Sequence, residues 1–328
     1  MTTRRSVLLG GAASLLVAHG TSHGQLVETI RRVGLLSGAS EATAGHLIKA
    51  FKQGMNDLGW TDGKNVEYRV GYADGNMNRL DALVSELIGQ KAEVIVVSSQ
   101  QAARAAQRAT KTLPIVMAGV SNAVGEGFVA SLASPGGNIT GFTSQQEAVL
   151  GKLIGILHEV APGARRIALL VNESYPSHAV FWSSAQSACA VLDLVALRAV
   201  ANGPAQLGPA VEQLVRQQAQ AVVVIPDSMY FAERKKLQEL MQAARLPAVY
   251  MLRDHVVAGG LLSYGADLPA NYRSASKYVD RILKGSKPAD LPVEHTTKFE
   301  LVINLRTAKA LAITVPQAIL VRADEAIQ

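Results

Sequence analysis

From Arg31 onwards, short apolar runs rich in β-branched residues alternate with longer stretches in which apolar residues recur at helical spacing. The run RRVGLL at 31–36 predicts a strand, and the stretch at 42–59 predicts a helix. The apolar face of that helix comprises Leu47, Ile48, Phe51, Met55 and Leu58. Further strand and helix segments follow, up to the strand in PIVMAGV at 114–120. Repeated strand–helix units of this kind predict a parallel sheet that is covered by helices.

A turn-rich passage, SPGGNITGF at 134–142, separates this series from a second one with a similar order of elements. The second series includes the predicted strands RIALLV at 166–171 and AVVVIP at 221–226. The restart predicts an α/β fold of two doubly wound, Rossmann-like lobes. A chain of 328 residues has the length of two such domains. Strand and helix patterns near the end indicate that the chain crosses between the lobes more than once.

The first segment of the chain has the features of an export signal. Arg4 and Arg5 precede an apolar run of 12 residues, Val7 to Ala18. A membrane-spanning helix needs about 20 residues, so this run is too short to be one. Small residues suited to cleavage follow it, so we expect residues 1–24 to be a signal peptide of the twin-arginine type, with the Sec route left open. The mature protein is then expected to be periplasmic and to have no membrane span.

The single cysteine, Cys189, lies in a helical pattern typical of a buried small apolar side chain. Since it is the only cysteine, no residue near the N-terminus can carry a lipid anchor, and no disulfide can form within the chain. The net charge of +6 comes from scattered Lys and Arg residues, without any nucleic-acid-binding motif, so no nucleic-acid partner is expected. Metal-ligand spacings and a Walker motif are also missing from the sequence, so we expect neither a metal nor a cofactor.

Two glycine motifs resemble catalytic or nucleotide-binding signatures. GEGFVA at 125–130 matches G-x-G-x-x-A, but it follows the fourth predicted strand, whereas a dinucleotide fingerprint follows the first. GGLLSYG at 259–265 places its serine too far from the preceding glycine for a nucleophile elbow. Neither motif supports an enzyme.

The residues at the ends of predicted strands are small, polar and mostly uncharged. In an open parallel sheet, ligands bind outside the carboxyl ends of the strands, so these residues are the candidate ligand-binding set. A serine at the start of a helix can instead cap the backbone, and the sequence leaves both roles open. The candidates at strand ends are Ser37, Ser40, Ser98, Ser99, Gln100, Ser121, Asn122, Asn172, Ser174, Asp227 and Tyr250.

The C-terminal part of the sequence, residues 259–326, closely resembles the tail of the ABC transporter substrate-binding proteins of the tryptophan/tyrosine type. Upstream segments agree with this resemblance, including AFKQGMNDLGW, PIVMAGVSNAVGEGFVASLASPGGNITGF and VVVIPDSMYF. The resemblance implies a periplasmic binding protein of type I, in which two lobes close on a ligand and no reaction is catalysed. It also implies an ABC permease of the inner membrane as the partner.

The same resemblance implies three crossover strands between the lobes, near 139–143, 261–265 and 299–304. The lobe boundaries that it implies are 31–141 with 266–298 for lobe one, and 142–265 with 299–328 for lobe two.

The sequence departs from the family pattern after the fourth strand, where members usually have Asp-Pro and this chain has Asn122-Ala123. An Asp there could pair with a ligand ammonium, whereas Asn122 offers only an amide. Asp227 is then the remaining candidate counter-ion of an amino acid ligand. Tyr250 and Tyr264 are candidate stacking surfaces for an aromatic ring.

Two alternative functions would also place a ligand in a cleft between two lobes. A two-domain Rossmann-like enzyme would need a phosphate-cradling loop after the first strand, where Ser37 to Ser40 contain one glycine. A periplasmic ligand sensor would dock on a receptor instead of a permease, and the sequence does not separate it from a transport protein.

Overall fold

The structure is a computed structural model that describes residues 30–144 and 146–328. The signal peptide predicted at 1–24 lies outside the described residues. Within them, no helix combines the length and the apolar character that crossing a bilayer requires.

The described residues of the first lobe form a six-stranded sheet in which every pairing is parallel. Its strands are β1 (Arg31–Ser37), β2 (Val66–Tyr72), β3 (Val94–Val97), β4 (Ile115–Ser121), β5 (Ile139–Ser144) and β11 (Glu294–His295). They lie in the order β11-β5-β4-β3-β1-β2. The central strands β3 and β4 are buried along their whole length, which explains their continuous apolar sequence.

The second lobe contains, within the described ranges, a seven-stranded sheet. Its strands are β6 (Arg166–Val171), β7 (Val195–Val200), β8 (Ala221–Val224), β9 (Ala248–Tyr250), β10 (Leu262–Ala266), β12 (Phe299–Asn304) and β13 (Glu325–Ile327). The order is β13-β12-β10-β9-β8-β6-β7, and only the β10–β12 pairing is antiparallel among the pairings of these described strands. The prediction of an α/β fold with two doubly wound lobes is confirmed.

Helices cover both faces of each sheet. Those of the first lobe are α1 (Glu41–Asp57), α2 (Leu80–Gly89), α3 (Gln100–Ala109) and α10 (Leu268–Leu283). Those of the second lobe are α4 (Gln146–Val160), α5 (Pro176–Val191), α6 (Leu207–Arg216), α7 (Ser228–Ala232), α8 (Arg234–Ala243), α9 (Arg253–Val257), α11 (Leu305–Ala310) and α12 (Gln317–Arg322). The helix predicted at 42–59 is α1, whose buried face includes Leu47, Phe51 and Met55.

In the described residues, the chain passes between the two sheets three times. It leaves the first sheet after β5 and enters α4, whose apolar residues pack in the core of the second lobe. It returns between β10 and α10, and α10 packs against α1 and β4 of the first lobe. The third passage joins β11 to β12. Both lobes are therefore built from separate stretches of sequence.

Close backbone approach requires glycine in two strands that precede these passages. A Cβ atom on Gly265 of β10 would overlap the carbonyl oxygen of Met251. A Cβ atom on Gly141 of β5 would overlap the carbonyl oxygen of Met117, and Gly141 has a φ of +119°. Neither contact can be relieved by rotating a side chain, because both partners are backbone atoms.

We expect Gly265→Ala to lower the free energy of unfolding by about 1–3 kcal/mol or more, since the strands must move apart to admit the methyl group. Gly163→Ala is the matched control, because a Cβ there meets no atom within 4 Å. Denaturant unfolding of both variants measures the difference. Equal stability of the two variants would contradict the close approach.

Candidate ligand-binding cleft

A cavity lies between the lobes, where the carboxyl ends of the two sheets face each other. Its empty space is about 710 Å³, including the opening to solvent. Lobe one contributes Ser37, Gly38, Ala39, Ala44, Leu47, Ser98, Ser99, Gln100, Gln101, Gly119, Ser121, Leu268 and Tyr272. Lobe two contributes Pro226, Asp227, Ser228, Phe231 and Leu252. A cavity between two domains that is lined by apolar side chains and a few polar groups is typical of a site for a small organic molecule.

The loops before α1 and α3 supply uncharged hydrogen-bonding groups. The Ser37 hydroxyl accepts a hydrogen bond from the Ala39 N–H (3.1 Å), and the Ser99 hydroxyl accepts one from the Ala102 N–H (3.2 Å). The first N–H groups of a helix have no partner within the helix, and its N-terminus favours negative charge. Since no Lys, Arg or His is among the described residues lining the cavity, the anionic part of a ligand would be met by N–H and hydroxyl groups.

Asp227 is the only ionisable carboxylate among the described cavity residues. Its Oδ1 accepts hydrogen bonds from the N–H groups of Met229 (2.7 Å) and Tyr230 (3.1 Å), so it caps α7. Its Oδ2 accepts one from Asn172 Nδ2 at 3.1 Å. Burial raises its pKa to about 6, against the opposing effect of these three donors. Two carboxylate oxygens offer about four acceptor sites, so these three donors leave one unused, and the side chain is fully buried in this arrangement of the lobes.

His178 lies behind Asp227 in the core of lobe two. Its Nδ1 accepts a hydrogen bond from the Asn172 N–H (2.8 Å), and its Nε2 lies 3.3 Å from the Pro226 carbonyl oxygen. The proton of the neutral ring is therefore on Nε2. Burial lowers the pKa of His178 to about 4, so the ring is uncharged at neutral pH and does not neutralise Asp227. No positively charged side chain among the described cavity residues pairs with Asp227.

The other part of the cavity wall is apolar. It is formed by Leu47, Phe231, Leu252, Leu268 and Tyr272. The Tyr272 hydroxyl donates to Ser98 Oγ at 2.7 Å, which fixes the ring against the end of β3. An apolar wall beside a few polar groups suits a ligand with a hydrophobic body and a polar end.

The two lobes contact each other directly around the cavity. Ser177 Oγ of lobe two donates to Gln100 Oε1 of lobe one at 2.8 Å. In the same way, Ser228 Oγ donates to Gln101 Oε1 at 3.2 Å. His46 Nε2 of α1 lies 3.1 Å from Asp254 Oδ1 of α9. These contacts define a closed arrangement of the lobes.

Of the twelve residues predicted from the sequence, six line the cavity. They are Ser37, Ser98, Ser99, Gln100, Ser121 and Asp227. All six lie at or just after the carboxyl end of a strand, which is where the topology of a parallel sheet places a ligand site.

Four other predicted residues, Ser40, Asn122, Asn172 and Ser174, are not among the lining residues and form hydrogen bonds in the neighbouring loops. Ser40 Oγ donates to Thr43 Oγ1 (3.0 Å), and Asn172 Nδ2 donates to Asp227 Oδ2. The Ser174 N–H donates to Asn172 Oδ1 at 3.1 Å. Asn122 has a φ of +49° and accepts a hydrogen bond from the Gly125 N–H, so the chain turns away from the sheet there. The residues after Asn122 form turns, so the GEGFVA segment does not begin a helix.

The two predicted stacking tyrosines lie away from the cavity. Tyr250 is fully buried in the core of lobe two, where it stacks on His255 with ring centroids 4.7 Å apart and donates to Gln238 Oε1 at 2.7 Å. The Tyr264 hydroxyl accepts a hydrogen bond from Lys152 Nζ (2.6 Å), and its ring packs on Phe299. Neither tyrosine is among the residues that line the cavity.

The residues of the apolar wall and Gln101 line the cavity but were not predicted from the sequence. Phe231 and Leu47 lie on helices one turn or more after the strand ends, where their periodicity also fits an ordinary core. Tyr272 belongs to α10, far from the other cavity residues in sequence, and only the return of the chain to lobe one brings it to the site. The sequence feature that could have identified Tyr272 is its position on α10, the helix that follows a crossover strand.

We expect His46→Ala to shift the ligand-free protein towards an open arrangement, because it removes the contact of His46 with Asp254 between the lobes. The His46 side chain is 46% exposed and Asp254 is 13% exposed, so the pair contributes at most about 1 kcal/mol, or about a fivefold change in the ratio of closed to open molecules. Small-angle scattering should show a larger radius of gyration. Lys49→Ala, one turn further along α1, is the control and should leave the radius unchanged.

Asp227 predicts a pH dependence of stability. Its folded pKa of about 6 lies above its ordinary value of 3.8, so its contribution to stability is full below pH 3.8 and is lost as the pH rises through 6. Asp227→Asn keeps a side-chain oxygen for capping α7 and carries no charge. Between pH 4 and 7, wild type should lose about 2 kcal/mol of unfolding free energy relative to this variant. Denaturant titrations at both pH values measure this; a difference that does not change with pH would contradict the buried charge.

The sequence and the fold both relate the chain to known binding proteins. Residues 34–327 match the family described as ABC transporter substrate binding protein. A tyrosine-binding protein of Clostridioides difficile (strain R20291) is 25% identical over 263 residues, which cover 80% of this chain and 75% of that protein.

Two solved structures have the same fold along their whole length. One is a conserved domain protein from Vibrio cholerae, with a TM-score of 0.84 and 23% identity, covering 91% of this chain and 100% of the other. The second is an ABC domain from Streptococcus pneumonia in complex with L-Trp, with a TM-score of 0.83, 22% identity and the same coverage. Together with the two lobes and the cleft between them, the match over residues 34–327 shows that this chain belongs to the ABC transporter substrate-binding protein family.

Proposed function

We propose that this protein is the extracytoplasmic solute-binding component of an ABC importer. It captures one small ligand between its lobes and presents the closed form to a permease in the inner membrane. Membership of the family supports this role, and the observation that carries it is the cavity enclosed by residues of both lobes. Export by the signal predicted at 1–24 would bring the protein to the periplasm.

The proposed mechanism is closure about the three passages between the lobes. Ligand contacts with Asp227 and Phe231 are made from lobe two, whereas those with Ser37 and Tyr272 are made from lobe one. Only a closed molecule makes both sets, so the ligand binds the closed state more tightly and shifts the population towards it. The contacts between Gln100 and Ser177 and between Gln101 and Ser228 form in the same step.

We propose an aromatic amino acid as the ligand. Its ammonium group would pair with Asp227, its carboxylate would meet the N–H and hydroxyl groups before α3, and its ring would contact Phe231 and Tyr272. The tyrosine-binding protein and the L-Trp complex among the similar proteins support this ligand class. Micromolar affinity corresponds to about 8 kcal/mol, which a buried ring and a few charge-assisted hydrogen bonds can supply.

A thermal-shift screen of refolded, ligand-stripped protein tests the proposal. L-tryptophan, L-tyrosine and L-phenylalanine are compared with glycine, with the amine-free indole-3-propionate and with NAD. At a hundredfold excess over Kd, a ligand adds about 2.7 kcal/mol of stability. We expect this from an aromatic amino acid and not from the other compounds. Stabilisation by NAD alone would favour the two-domain enzyme and overturn the proposal.

Asp227→Asn should weaken binding of the stabilising amino acid at least tenfold at pH 7.5, measured by calorimetry, because the ammonium loses its charged partner. Asp290→Asn removes an exposed carboxylate outside the cleft and serves as the control. For wild type, affinity should also fall below pH 6, where Asp227 becomes protonated. Unchanged affinity in Asp227→Asn would exclude Asp227 as the counter-ion.

A further inference from the structure

A second cavity lies beside the passages between the lobes, on the other side of α10 from the ligand cleft. We call it the hinge cavity. Its empty space is about 940 Å³, including the opening to solvent. It is lined by Phe142, Ala270, Asn271, Ser274, Lys277, Tyr278, Arg281, Glu294, His295, Thr296, Thr297 and Lys298. These residues come from β5, α10, β11 and the segment that leads to β12.

Basic side chains dominate the hinge cavity. Lys277 and Arg281 lie one turn apart on α10, and within the described residues neither has an ion-pair partner. Lys298, on the segment between the lobes, is paired with Asp267 at 2.7 Å. The cavity has one carboxylate in its described lining, Glu294, which lies 2.8 Å from the Tyr278 hydroxyl. The lining therefore has an excess of positive charge, most of it on α10.

Two buried polar side chains of the same cavity have unused hydrogen-bonding capacity. Asn271 is 5% exposed and Thr296 is 6% exposed. Asn271 Nδ2 and Thr296 Oγ1 have no hydrogen-bond partner among the described residues. Buried polar groups without a partner are uncommon in native proteins. Neither atom is exposed to solvent, and Asn271 Nδ2 lies beside Gly119 of β4, so both atoms lie behind the cavity wall.

The residues together suit an oxyanion that carries more than one negative charge. Lys277 and Arg281 supply charge, and Arg281 can form two parallel hydrogen bonds to oxygen atoms. Ser274 and Thr297 offer further hydroxyl groups at the cavity wall. We propose that the hinge cavity is a second binding site, separate from the ligand cleft, and that it takes a small multivalent oxyanion of the phosphate class.

Isothermal titration with inorganic phosphate tests this site, using the full protein at constant ionic strength with chloride as the balancing anion. We expect saturable binding of one phosphate per chain. The variant Lys277→Gln/Arg281→Gln should bind at least tenfold more weakly. Its circular dichroism spectrum and thermal midpoint verify that it is folded.

The matched control is Lys111→Gln/Lys235→Gln, which removes the same charge from exposed lysines outside the hinge cavity. It should bind phosphate as tightly as wild type. Absence of saturable binding to wild type, or equal weakening in both double variants, would overturn the proposal. Because the amino acid screen measures a different cavity, failure of either site leaves the result for the other unchanged.

Discussion

The location of the ligand cleft follows from one property of parallel sheets, namely that all their strands end at the same edge. Ser37, Ser98 and Ser121 end or directly follow strands of one sheet, and Asp227 lies just past the end of a strand of the other. The three passages between the sheets hold these two edges face to face. The charge of the cleft, its closure and its capacity to surround a ligand all depend on this arrangement.

Asp227 shows how the cleft combines structural and binding requirements in one group. Its carboxylate is the N-cap of α7 and is fixed by Asn172, so its position does not depend on a ligand. Its burial nevertheless makes the charged form costly, since no cationic side chain among the described cavity residues is beside it. A cationic ligand group would remove part of that cost. The fold fixes the position of the Asp227 carboxylate, and no neighbouring side chain among the described cavity residues neutralises its charge. Both properties suit Asp227 to a ligand with a positive charge.

The two lobes could be predicted from the sequence because the spacing of apolar residues identifies each strand and helix by itself, without knowledge of the rest of the chain. Six of the twelve residues predicted from the sequence line the cavity, which has eighteen described lining residues, since residues such as Ser98 and Asp227 follow recognisable buried strands. Sequence patterns did not identify Tyr272 or Phe231 as cavity residues, because the side of a helix that faces the cleft depends on how the lobes are arranged. Tyr250 illustrates the same gap, since its strand-end position gave no information about which face of the sheet its ring occupies.

Phe231 and Leu252 belong to lobe two, yet both pack in a hydrophobic cluster that consists mainly of lobe-one residues such as Leu47 and Tyr272. Separating the lobes would expose these side chains to water. Hydration of apolar surface raises the heat capacity, so closure carries a negative heat-capacity change in addition to that of burying the ligand. The enthalpy of binding therefore becomes more favourable as the temperature rises, and a calorimetric series over temperature reports lobe closure and ligand burial together.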